Sequence, residues 1–553
     1  MRLLGPMLCS SIGCLLLASG TSRATANDVS ASEVEACRSL GNGAKVGNLT
    51  ALSAQFVADG RFQPLSGKAI AGLPPFCRVV AMAAPSPQSH IVIEVWLPTQ
   101  SNWNGKFLGT GNGGFGGEII TASLAGGLRR GFATANTDMG THPAGSVGVG
   151  YAAGNGQPQT VRDWGFRATH EMALFGKEIV LRLYKAAAKK NYFVGCSTGG
   201  HQALTEAQRY PEDFDAIIAG APGLNRTHLH AMFTNWSIQL RRPGSEAPTL
   251  TTTGLWRKAQ LAACLTRQGG APDDSFLPNP ATCSLKPAAL LCRPGQDTTT
   301  CLSPAQINAL DVYLTGTRNP RTGALIYPPL TYAMVGGGRA AATPGGPPVA
   351  AELSRWVFGP QWDAASFDFD GDMARVDQAL AGVINANNPD LSRFAARGGK
   401  LLMFHGWDDP IVSPFDSILY FDRAFAVGAH KSDFLRLFMV PGMSHCAGGA
   451  GPTMFGQEPA FPVGSAEEDL IAALDRWAET GIAPEVLRAK RLSGGLQEPF
   501  EGRKLLAERP ICAYPWVARY KGSGSTTDPA SFVCHKALPV AYAAPALLIA
   551  TES

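Results

Sequence analysis

The amino-acid sequence predicts an α/β fold, in which a mainly parallel β-sheet is covered by helices on both faces. Apolar segments of strand length alternate along the chain with segments whose apolar residues recur at helical spacing. With 553 residues, the chain is long enough to bury a large core. Its 63 Gly and 40 Pro residues supply many turns without reaching the content of a low-complexity protein.

Seven segments are predicted to be β-strands. Residues 90–97 alternate between apolar and polar side chains, which is typical of a half-buried strand. Because helical patterns separate many of the others, most strands are expected to pair in parallel. These other strands are short apolar runs at 106–108, 132–135, 192–194, 216–219, 401–404 and 434–440.

Three helices are predicted between these strands. Apolar residues recur at helical spacing over 163–184 and over 199–209. A third helix is predicted over 470–477, because Ser465 and Glu468 have the spacing of a capping box just before it.

The regular alternation stops between about 224 and 390. This stretch contains four cysteines and the proline-rich segment 344–348, without a regular succession of strands and helices. An insertion of this size between two strands of the sheet predicts a lid domain. The predicted organisation is a signal peptide at 1–26, the first part of the core at 27–223, the lid domain at 224–390 and the second part of the core at 391–553.

The charge balance excludes several classes of protein. There are 47 Lys and Arg residues against 43 Asp and Glu, which gives a net charge of +4. Such a chain lacks the electrostatic footprint of a nucleic-acid-binding protein, and no run of basic residues favours a membrane surface. We therefore expect neither nucleic acid nor a membrane as a partner. The sequence leaves the oligomeric state open.

The N-terminal residues predict export, so that the mature chain is secreted or periplasmic. Arg2 precedes an apolar run, and Ala24 and Ala26 form a small-x-small cleavage pattern. Loss of Cys9 and Cys14 with the leader leaves ten of the 12 cysteines. An even number in an exported chain predicts disulfides, whose pairing the count leaves open. No Cys-x-x-Cys pair occurs, so we expect no zinc or other metal site.

The sharpest functional motif is the pentapeptide Gly-Cys-Ser-Thr-Gly at 195–199. It follows a predicted strand and precedes a predicted helix, which is the setting of the nucleophile elbow in an α/β-hydrolase fold. In such a tight turn the glycines leave room for the neighbouring backbone, and the serine hydroxyl projects above the sheet. Ser197 is therefore the candidate nucleophile.

A serine nucleophile needs a histidine base and an acid that orients the histidine. In α/β-hydrolases they follow in the order Ser, acid, His. Asp408 and Asp409 follow one predicted strand, and the pattern leaves the choice between them open. His445 follows the next strand and is the preferred base. His405 is its strongest rival, but it precedes the acid candidates instead of lying on a later loop.

The positions of two cysteines also support Ser197 as the nucleophile and His445 as its base. Cys196 immediately precedes Ser197, and Cys446 immediately follows His445. If the serine and the histidine are within hydrogen-bond reach, their neighbours can approach disulfide distance, at which Cα atoms lie ~4.4–6.8 Å apart. A Cys196–Cys446 bridge would hold the base against the nucleophile.

The oxyanion hole requires backbone N–H groups that point at the developing negative charge. One is expected from Thr198, next to the nucleophile. The other is expected from Gly113 or Gly114, in the glycine-rich segment 109–117 that follows an early strand. The same segment matches the G-x-G-x-x-G pattern of dinucleotide sites, but no long helix begins there, which favours the oxyanion role.

These elements resemble the tannase and feruloyl esterase family from about Cys37 to Cys534. The resemblance implies an α/β-hydrolase fold with a large inserted lid domain, and it places the acid directly before Pro410, at Asp409. The elements that carry it are 195–200, 219–222, 398–401 with 405–407, and 442–446. The resemblance also implies a fold stabilised by five disulfides, Cys37–Cys77, Cys196–Cys446, Cys264–Cys283, Cys292–Cys301 and Cys512–Cys534.

The function implied by the resemblance is that of a secreted serine esterase acting on small aromatic carboxylic esters of the feruloyl or galloyl type. Ser197, Asp409 and His445 would form an acyl-enzyme, and no cofactor is required for this chemistry. His405 and Trp356 are the expected substrate-binding residues. Three alternatives stay open: a terephthalate monoester hydrolase of the same family, a catalytically silent binding protein of the same fold, and an enzyme that transfers the acyl group to an alcohol in place of water.

This sequence departs from the family in one feature. The lid of family members commonly binds a structural calcium through aspartates just after a cysteine. Here Leu265 follows Cys264, and Asp273 and Asp274 come only later. Because calcium prefers several carboxylate ligands, we expect no calcium site of the usual form.

Overall fold

The computed structural model describes residues 30–537, apart from 42, 44, 48, 65–66, 142–155, 333–351, 428–432 and 496–499. The predicted signal peptide therefore lies outside the described residues, as does the proline-rich segment 344–348. Within the described part, no helix is both long and apolar enough to cross a membrane.

A ten-stranded mixed sheet forms the centre of the fold. The strands in chain order are β1 (Lys45–Val46), β2 (Leu49–Val57), β3 (Phe76–Ala83), β4 (Ile91–Pro98), β5 (Lys106–Thr110), β6 (Ala133–Thr137), β7 (Lys190–Cys196), β8 (Ala216–Gly220), β9 (Thr317–Arg318), β10 (Leu325–Tyr327), β11 (Lys400–Gly406), β12 (Leu435–Val440), β13 (Val486–Leu492), β14 (Leu505–Cys512), β15 (Trp516–Tyr520) and β16 (Phe532–Lys536).

The order of strands in the large sheet is β1-β2-β3-β4-β6-β5-β7-β8-β11-β12. Six neighbouring strands of this sheet pair in parallel, in the order β6-β5-β7-β8-β11-β12. Strands β1 to β4 form an antiparallel extension that joins the parallel part where β4 pairs with β6. All seven predicted strands are present. The sequence patterns missed β1–β3 and β13–β16 near the ends of the chain and the short pair β9–β10. Because carboxyl ends of parallel strands meet at one edge, the residues after β5, β7, β11 and β12 lie near each other.

Strand β4 differs from its predicted half-buried state, because nearly all of its residues are buried. The polar position Glu94 faces the interior, where Arg78 donates to both of its carboxylate oxygens at 2.6 and 2.8 Å. The indole N–H of Trp96 also donates to Glu94, at 2.6 Å. An ion pair therefore occupies a position where the alternation indicated solvent.

The helices cover the sheet on both faces, as predicted. They are α1 (Ala31–Ser39), α2 (Thr121–Arg129), α3 (Pro158–Arg162), α4 (Ala168–Tyr184), α5 (Thr198–Arg209), α6 (Arg226–Gln239), α7 (Leu250–Cys264), α8 (Pro304–Leu314), α9 (Glu352–Phe358), α10 (Gly371–Val376), α11 (Gly382–Ile384), α12 (Ser392–Ala396), α13 (Pro414–Val427) and α14 (Leu470–Thr480). A π-helical turn at Asp163–Arg167 joins α3 to α4.

Successive side chains of the central strands pack into two different cores, as the alternation of a β-strand requires. Phe193 and Met403 pack with residues of α4 and α13 on one face. Their neighbours Val194 and Leu402 pack on the other face, together with Trp477 of α14. These side chains are almost fully buried, so both faces of the sheet contribute to the hydrophobic stabilisation.

Helix α14 begins near its predicted position, but the predicted capping box is wrong. The N-cap is Asp469, whose carboxylate accepts the backbone N–H of Ala472 at 3.0 Å. Glu468 instead pairs with Lys490 and Arg488, both of β13, at 2.8 and 2.6 Å. A carboxylate next to the first helical turn caps it directly, so Ser465 is not needed for that role.

The stretch 224–390, predicted as a lid domain, runs between β8 and β11 and contains helices α6 to α11 and the β9–β10 pair. It supplies most of one hydrophobic cluster, in which Trp236, Trp256 and Tyr313 are buried together with Val412 from outside the stretch. All five disulfides implied by the family resemblance are formed, and Cys264–Cys283 and Cys292–Cys301 lie within this stretch.

Arg130, directly after α2, anchors the segment that precedes α14, and its replacement should destabilise the fold. Its guanidinium pairs with the buried Asp469 at 2.8 Å and donates to the carbonyls of Pro459 and Phe461 at 3.2 and 3.1 Å. Arg130→Met leaves the Asp469 charge buried without its partner, and we expect a loss of about 3–5 kcal/mol in the free energy of unfolding.

Chemical denaturation of the oxidised protein measures this loss. The control is Arg393→Met, which removes an exposed arginine 3.7 Å from Glu212 and should change the free energy of unfolding by less than about 0.5 kcal/mol. Equal effects of the two substitutions would contradict the anchoring role.

Candidate active site

Ser197 occupies a strained turn between β7 and α5. Its backbone has φ 64° and ψ −116°, a conformation that residues other than glycine rarely adopt. The turn is too tight for side chains nearby: a Cβ on Gly195 would lie about 2.5 Å from the backbone of Gly199. A Cβ on Gly200 would lie 2.3 Å from the carbonyl oxygen of Gly220. The local geometry is thus the one predicted from the pentapeptide.

Asp409 and His445 come together because they follow neighbouring parallel strands, β11 and β12. The Nδ1 atom of His445 lies 2.6 Å from Oδ2 of Asp409. The other oxygen of this carboxylate, Oδ1, accepts the backbone N–H groups of Ile411 and Val412 at 2.8 and 3.0 Å. Asp409 is fully buried, and both of its oxygens have hydrogen-bond partners.

The surroundings of Asp409 keep it ionised. Burial by itself raises the pKa of a carboxyl group. Here the charge of His445, together with hydrogen bonds from His405 and His445, outweighs burial and holds the pKa of Asp409 well below its usual range. A permanently ionised acid is suited to orient a histidine and to stabilise its protonated form.

The position of His405 does not agree with its predicted role in substrate binding. Its side chain is fully buried, with Nε2 at 3.1 Å from Asp409 and 3.2 Å from the carbonyl of Val412. Because both of these partners are acceptors, Nε2 carries a proton, and Nδ1 pairs with the Ser417 hydroxyl at 2.7 Å. His405 therefore supports the acid from behind and makes no contact with the cavity.

Asp408 is directed away from this cluster. It pairs with Arg257 of α7 at 2.7 Å, and burial raises the pKa of its carboxyl group. The two adjacent aspartates therefore have different partners, and Asp409 is the one that contacts His445.

The Cys196–Cys446 disulfide links the residue before Ser197 to the residue after His445. Its Cα atoms are 5.9 Å apart, within the range expected for a disulfide. Cys446 has φ 64°, so the chain turns sharply just after His445. Ser197, His445 and both half-cystines line the same cavity.

The two loops predicted to form the oxyanion hole are joined by hydrogen bonds. The N–H of Gly199 donates to the carbonyl of Asn112 at 2.7 Å. The hydroxyl of Thr198 donates to the carbonyl of Gly114 at 2.5 Å, and Nη2 of Arg226 donates to the same hydroxyl at 2.5 Å. Thr198, Gly113 and Gly114 all line the cavity beside Ser197.

Arg226 brings a positive charge to this cavity that the sequence patterns did not indicate. It is the first residue of α6 and is 5% exposed, with its guanidinium above the Trp164 ring at 5.3 Å. Among the described residues, no carboxylate forms an ion pair with it, and its Nε has no hydrogen-bond partner. Burial lowers the pKa of Arg226 to about 10, which still leaves it cationic at neutral pH.

The cavity has a volume of about 580 Å³ and a largely apolar wall. Leu229 and Phe233 of α6 form one side, and Ile411 and Val412 of the loop after β11 form another. Some polar residues also line the cavity, among them Glu458. Like Arg226, Glu458 was not indicated by the sequence patterns. A pocket of this kind takes a mostly apolar small molecule that a few polar groups orient.

Trp356 does not lie among the described residues that line this cavity. It packs edge-on against Phe115 and Trp164, at ring distances of 5.9 and 5.6 Å. These two rings contact His230 and Arg226 of the cavity wall, so Trp356 belongs to the layer behind the wall. Phe233, in the same stretch 224–390, does line the cavity.

The aspartates after Cys264 already have protein partners. Asp274 lies 3.1 Å from the Arg509 guanidinium, and Asp273 accepts the hydroxyl of Thr526 at 2.8 Å. A cation at Asp274 would have to compete with an arginine, so these residues do not fit the calcium site that the family resemblance implies. The expected lack of a lid calcium stays a prediction.

Comparison with known proteins gives a consistent result. The family model described as tannase and feruloyl esterase matches residues 77–535. An uncharacterised esterase of Xanthomonas campestris is 37% identical over 538 residues, covering 90% of this chain and 91% of the relative. Feruloyl esterase C of Talaromyces stipitatus is 30% identical over 560 residues, covering 96% and 99%.

A solved structure supports the same assignment. The crystal structure of feruloyl esterase B from Aspergillus oryzae matches with a TM-score of 0.81 and 30% identity, over 91% of this chain and 100% of the other. The protein belongs to the tannase and feruloyl esterase family and is a carboxylic ester hydrolase.

Proposed function

We propose that this protein is an exported serine esterase that hydrolyses aromatic carboxylic esters through an acyl-enzyme on Ser197. The observation that carries the proposal is the 2.6 Å contact between Asp409 and His445, beside a cavity that also contains the strained serine turn. This arrangement supplies a nucleophile, a base and an orienting acid in the order that α/β-hydrolases use. It also disfavours a catalytically silent binding protein, which would have no need of all three.

In the first half of the reaction, His445 takes the proton of the Ser197 hydroxyl as Oγ attacks the ester carbonyl carbon. The N–H of Thr198, with an N–H of Gly113 or Gly114, stabilises the resulting oxyanion. His445 then gives its proton to the departing alkoxide, and the acyl-enzyme and a free alcohol result. In the second half, His445 activates a water molecule, and hydrolysis releases the acid and restores the serine.

The stretch 224–390 acts in this proposal as a lid domain over the site. The first turns of α6 form part of the cavity wall through Arg226, Leu229 and Phe233. The apolar wall suits an aromatic acyl group of the feruloyl or galloyl type. Export is supported by the N-terminal leader pattern and by the five disulfides, which form in oxidising compartments.

Arg226 favours a second candidate substrate, the monoester of an aromatic dicarboxylic acid such as terephthalate. A buried guanidinium without a carboxylate partner has a high desolvation cost, which an anionic ligand would reduce. A free carboxylate on the far end of the acyl group would be such a ligand.

Replacing the nucleophile should abolish hydrolysis. We expect Ser197→Ala to reduce kcat/KM by at least about 10⁴-fold, because the residual site can no longer form an acyl-enzyme. The substrates are methyl ferulate, methyl gallate, mono(2-hydroxyethyl) terephthalate and p-nitrophenyl butyrate, with thermal unfolding as the check that the variant is folded. Turnover of the butyrate alone would contradict the aromatic assignment, and preference for the terephthalate monoester would favour the second candidate.

The orienting acid makes a separate prediction. Asp409→Asn should lower kcat by about 10⁴-fold, since an amide cannot hold His445 in the tautomer that accepts the serine proton. The Asp409 pKa lies below its usual range, so its ionised form stabilises the native state at neutral pH. This contribution is lost as the pH falls below about 4. The difference in unfolding free energy between wild type and Asp409→Asn should therefore shrink on acidification. A constant difference would contradict the stabilising role of the ionised Asp409.

The hydrogen bonds that join the oxyanion loops should matter for the chemical step. Thr198→Val keeps the backbone N–H but removes the hydroxyl that links Arg226 to Gly114, and we expect kcat to fall about tenfold with little change in KM. Thr205→Val is the matched control, because its hydroxyl is buried in the same helix and bonds only to the carbonyl of His201. Equal losses in both variants would indicate a general destabilisation of α5.

A further inference from the structure

Glu458 places a carboxyl group in the wall of the cavity, among mainly apolar side chains. It is half-buried, and no described residue forms a hydrogen bond or an ion pair with its side chain. A carboxyl group in such a place costs solvation energy that the protein itself does not recover. The group therefore has hydrogen-bonding capacity available to a ligand.

The backbone on both sides of Glu458 is firmly held. The side-chain amide of Gln457 donates to the carbonyls of Cys446 and Thr453 at 3.3 and 2.9 Å. The carbonyl of Pro459 accepts from Arg130 at 3.2 Å. These bonds fix the segment between the base loop and α14, so that the carboxyl group has a defined position in the cavity.

The carboxyl group lies on the side of the cavity where the base is. One of its oxygens is within 4.8 Å of the sulfur atoms of Cys196 and Cys446. The charge of His445 acts on Glu458 and opposes the effect of burial, which raises the pKa of Glu458 to about 7. Because His445 protonates the departing alkoxide in the proposed reaction, the alcohol portion of the ester occupies this side.

A metal site is a poor explanation for this cluster. Both sulfur atoms are joined in the Cys196–Cys446 disulfide, so neither is a thiolate that could bind a metal ion. A single carboxylate then remains, which is too few ligands for a divalent cation.

We propose that Glu458 forms a subsite for a hydroxyl group on the alcohol portion of the substrate, so that the enzyme prefers esters of polyhydroxy alcohols over esters of simple alcohols. The inference rests on the ester hydrolysis proposed above and adds the recognition of the leaving group. Near neutral pH the carboxyl group can accept a hydrogen bond from a hydroxyl and, when protonated, donate one. Ile120 and Val194, which line the same cavity, offer no hydrogen bond to such a hydroxyl.

The test compares two esters of the same aromatic acid, 2,3-dihydroxypropyl ferulate and propyl ferulate, which differ only in the hydroxyl groups of the alcohol. Wild type should have the higher kcat/KM on the dihydroxypropyl ester. Glu458→Leu should reduce the ratio of the two kcat/KM values by about tenfold, mainly through KM of the hydroxylated ester, since one hydrogen bond to a charged group is lost. Glu458→Gln, which retains polar atoms at the same place, should give a smaller change in the same direction.

Glu467→Gln is the matched control, because this glutamate belongs to the same segment but is half exposed and pairs with Arg476 at 2.6 Å. It should leave the substrate ratio unchanged. An unchanged ratio in both Glu458 variants, or a ratio near one in wild type, would overturn the subsite while leaving the esterase proposal intact. If wild type hydrolysed neither ester nor any substrate of the panel above, the proposed function itself would fail, and the subsite with it.

Discussion

The link between Cys196 and Cys446 is the constraint on which the geometry of the site depends. Strands β7 and β12 are separated in the sheet by β8 and β11, so their ends lie about 14 Å apart at the usual strand spacing. The two half-cystines nevertheless have their Cα atoms 5.9 Å apart. The loop after β12 must therefore fold back over the ends of two strands, and the positive φ angles of Gly442 and Cys446, 66° and 64°, show where it turns.

The position of the loop after β12 brings His445 to Asp409 and so determines the electrostatics of the site. Asp409 is buried between two histidines and two backbone N–H groups, which keep it ionised without solvent. His405 has the supporting position because the Ser417 hydroxyl of α13 holds its other nitrogen. Arg226 and Glu458 then leave one positive and one acidic group in a cavity that is otherwise mostly apolar. Such a cavity has two polar groups that can orient a mostly apolar ester.

The sequence allowed prediction of those parts of the fold and site that depend on local patterns. The serine turn was predictable because its glycines are required by close backbone contacts within a few residues. The roles of His405 and Arg226 were not, since both depend on side-chain contacts that no local pattern encodes, with Asp409 and Ser417 in one case and with Thr198 in the other. The burial of Glu94 was missed for the same reason, because its partner Arg78 is on the neighbouring strand.

The adjacent aspartates show how the stretch 224–390, inserted between β8 and β11, contributes to the site. Asp408 pairs with Arg257 of α7, the hydroxyl of Thr331 donates to the carbonyl of Trp407, and the hydroxyl of Ser413 donates to the carbonyl of Pro329 at 2.6 Å. Three contacts from the insertion therefore hold the loop after β11 on both sides of Asp409. The N–H groups of Trp407 and Asp408 also donate to the carbonyls of Val440 and Met443, at 3.0 and 2.9 Å. The insertion and the loop after β12 together therefore fix the position of the acid. The residue next to the acid is thus an aspartate for a structural reason, which explains why the sequence pattern alone could not choose between the two.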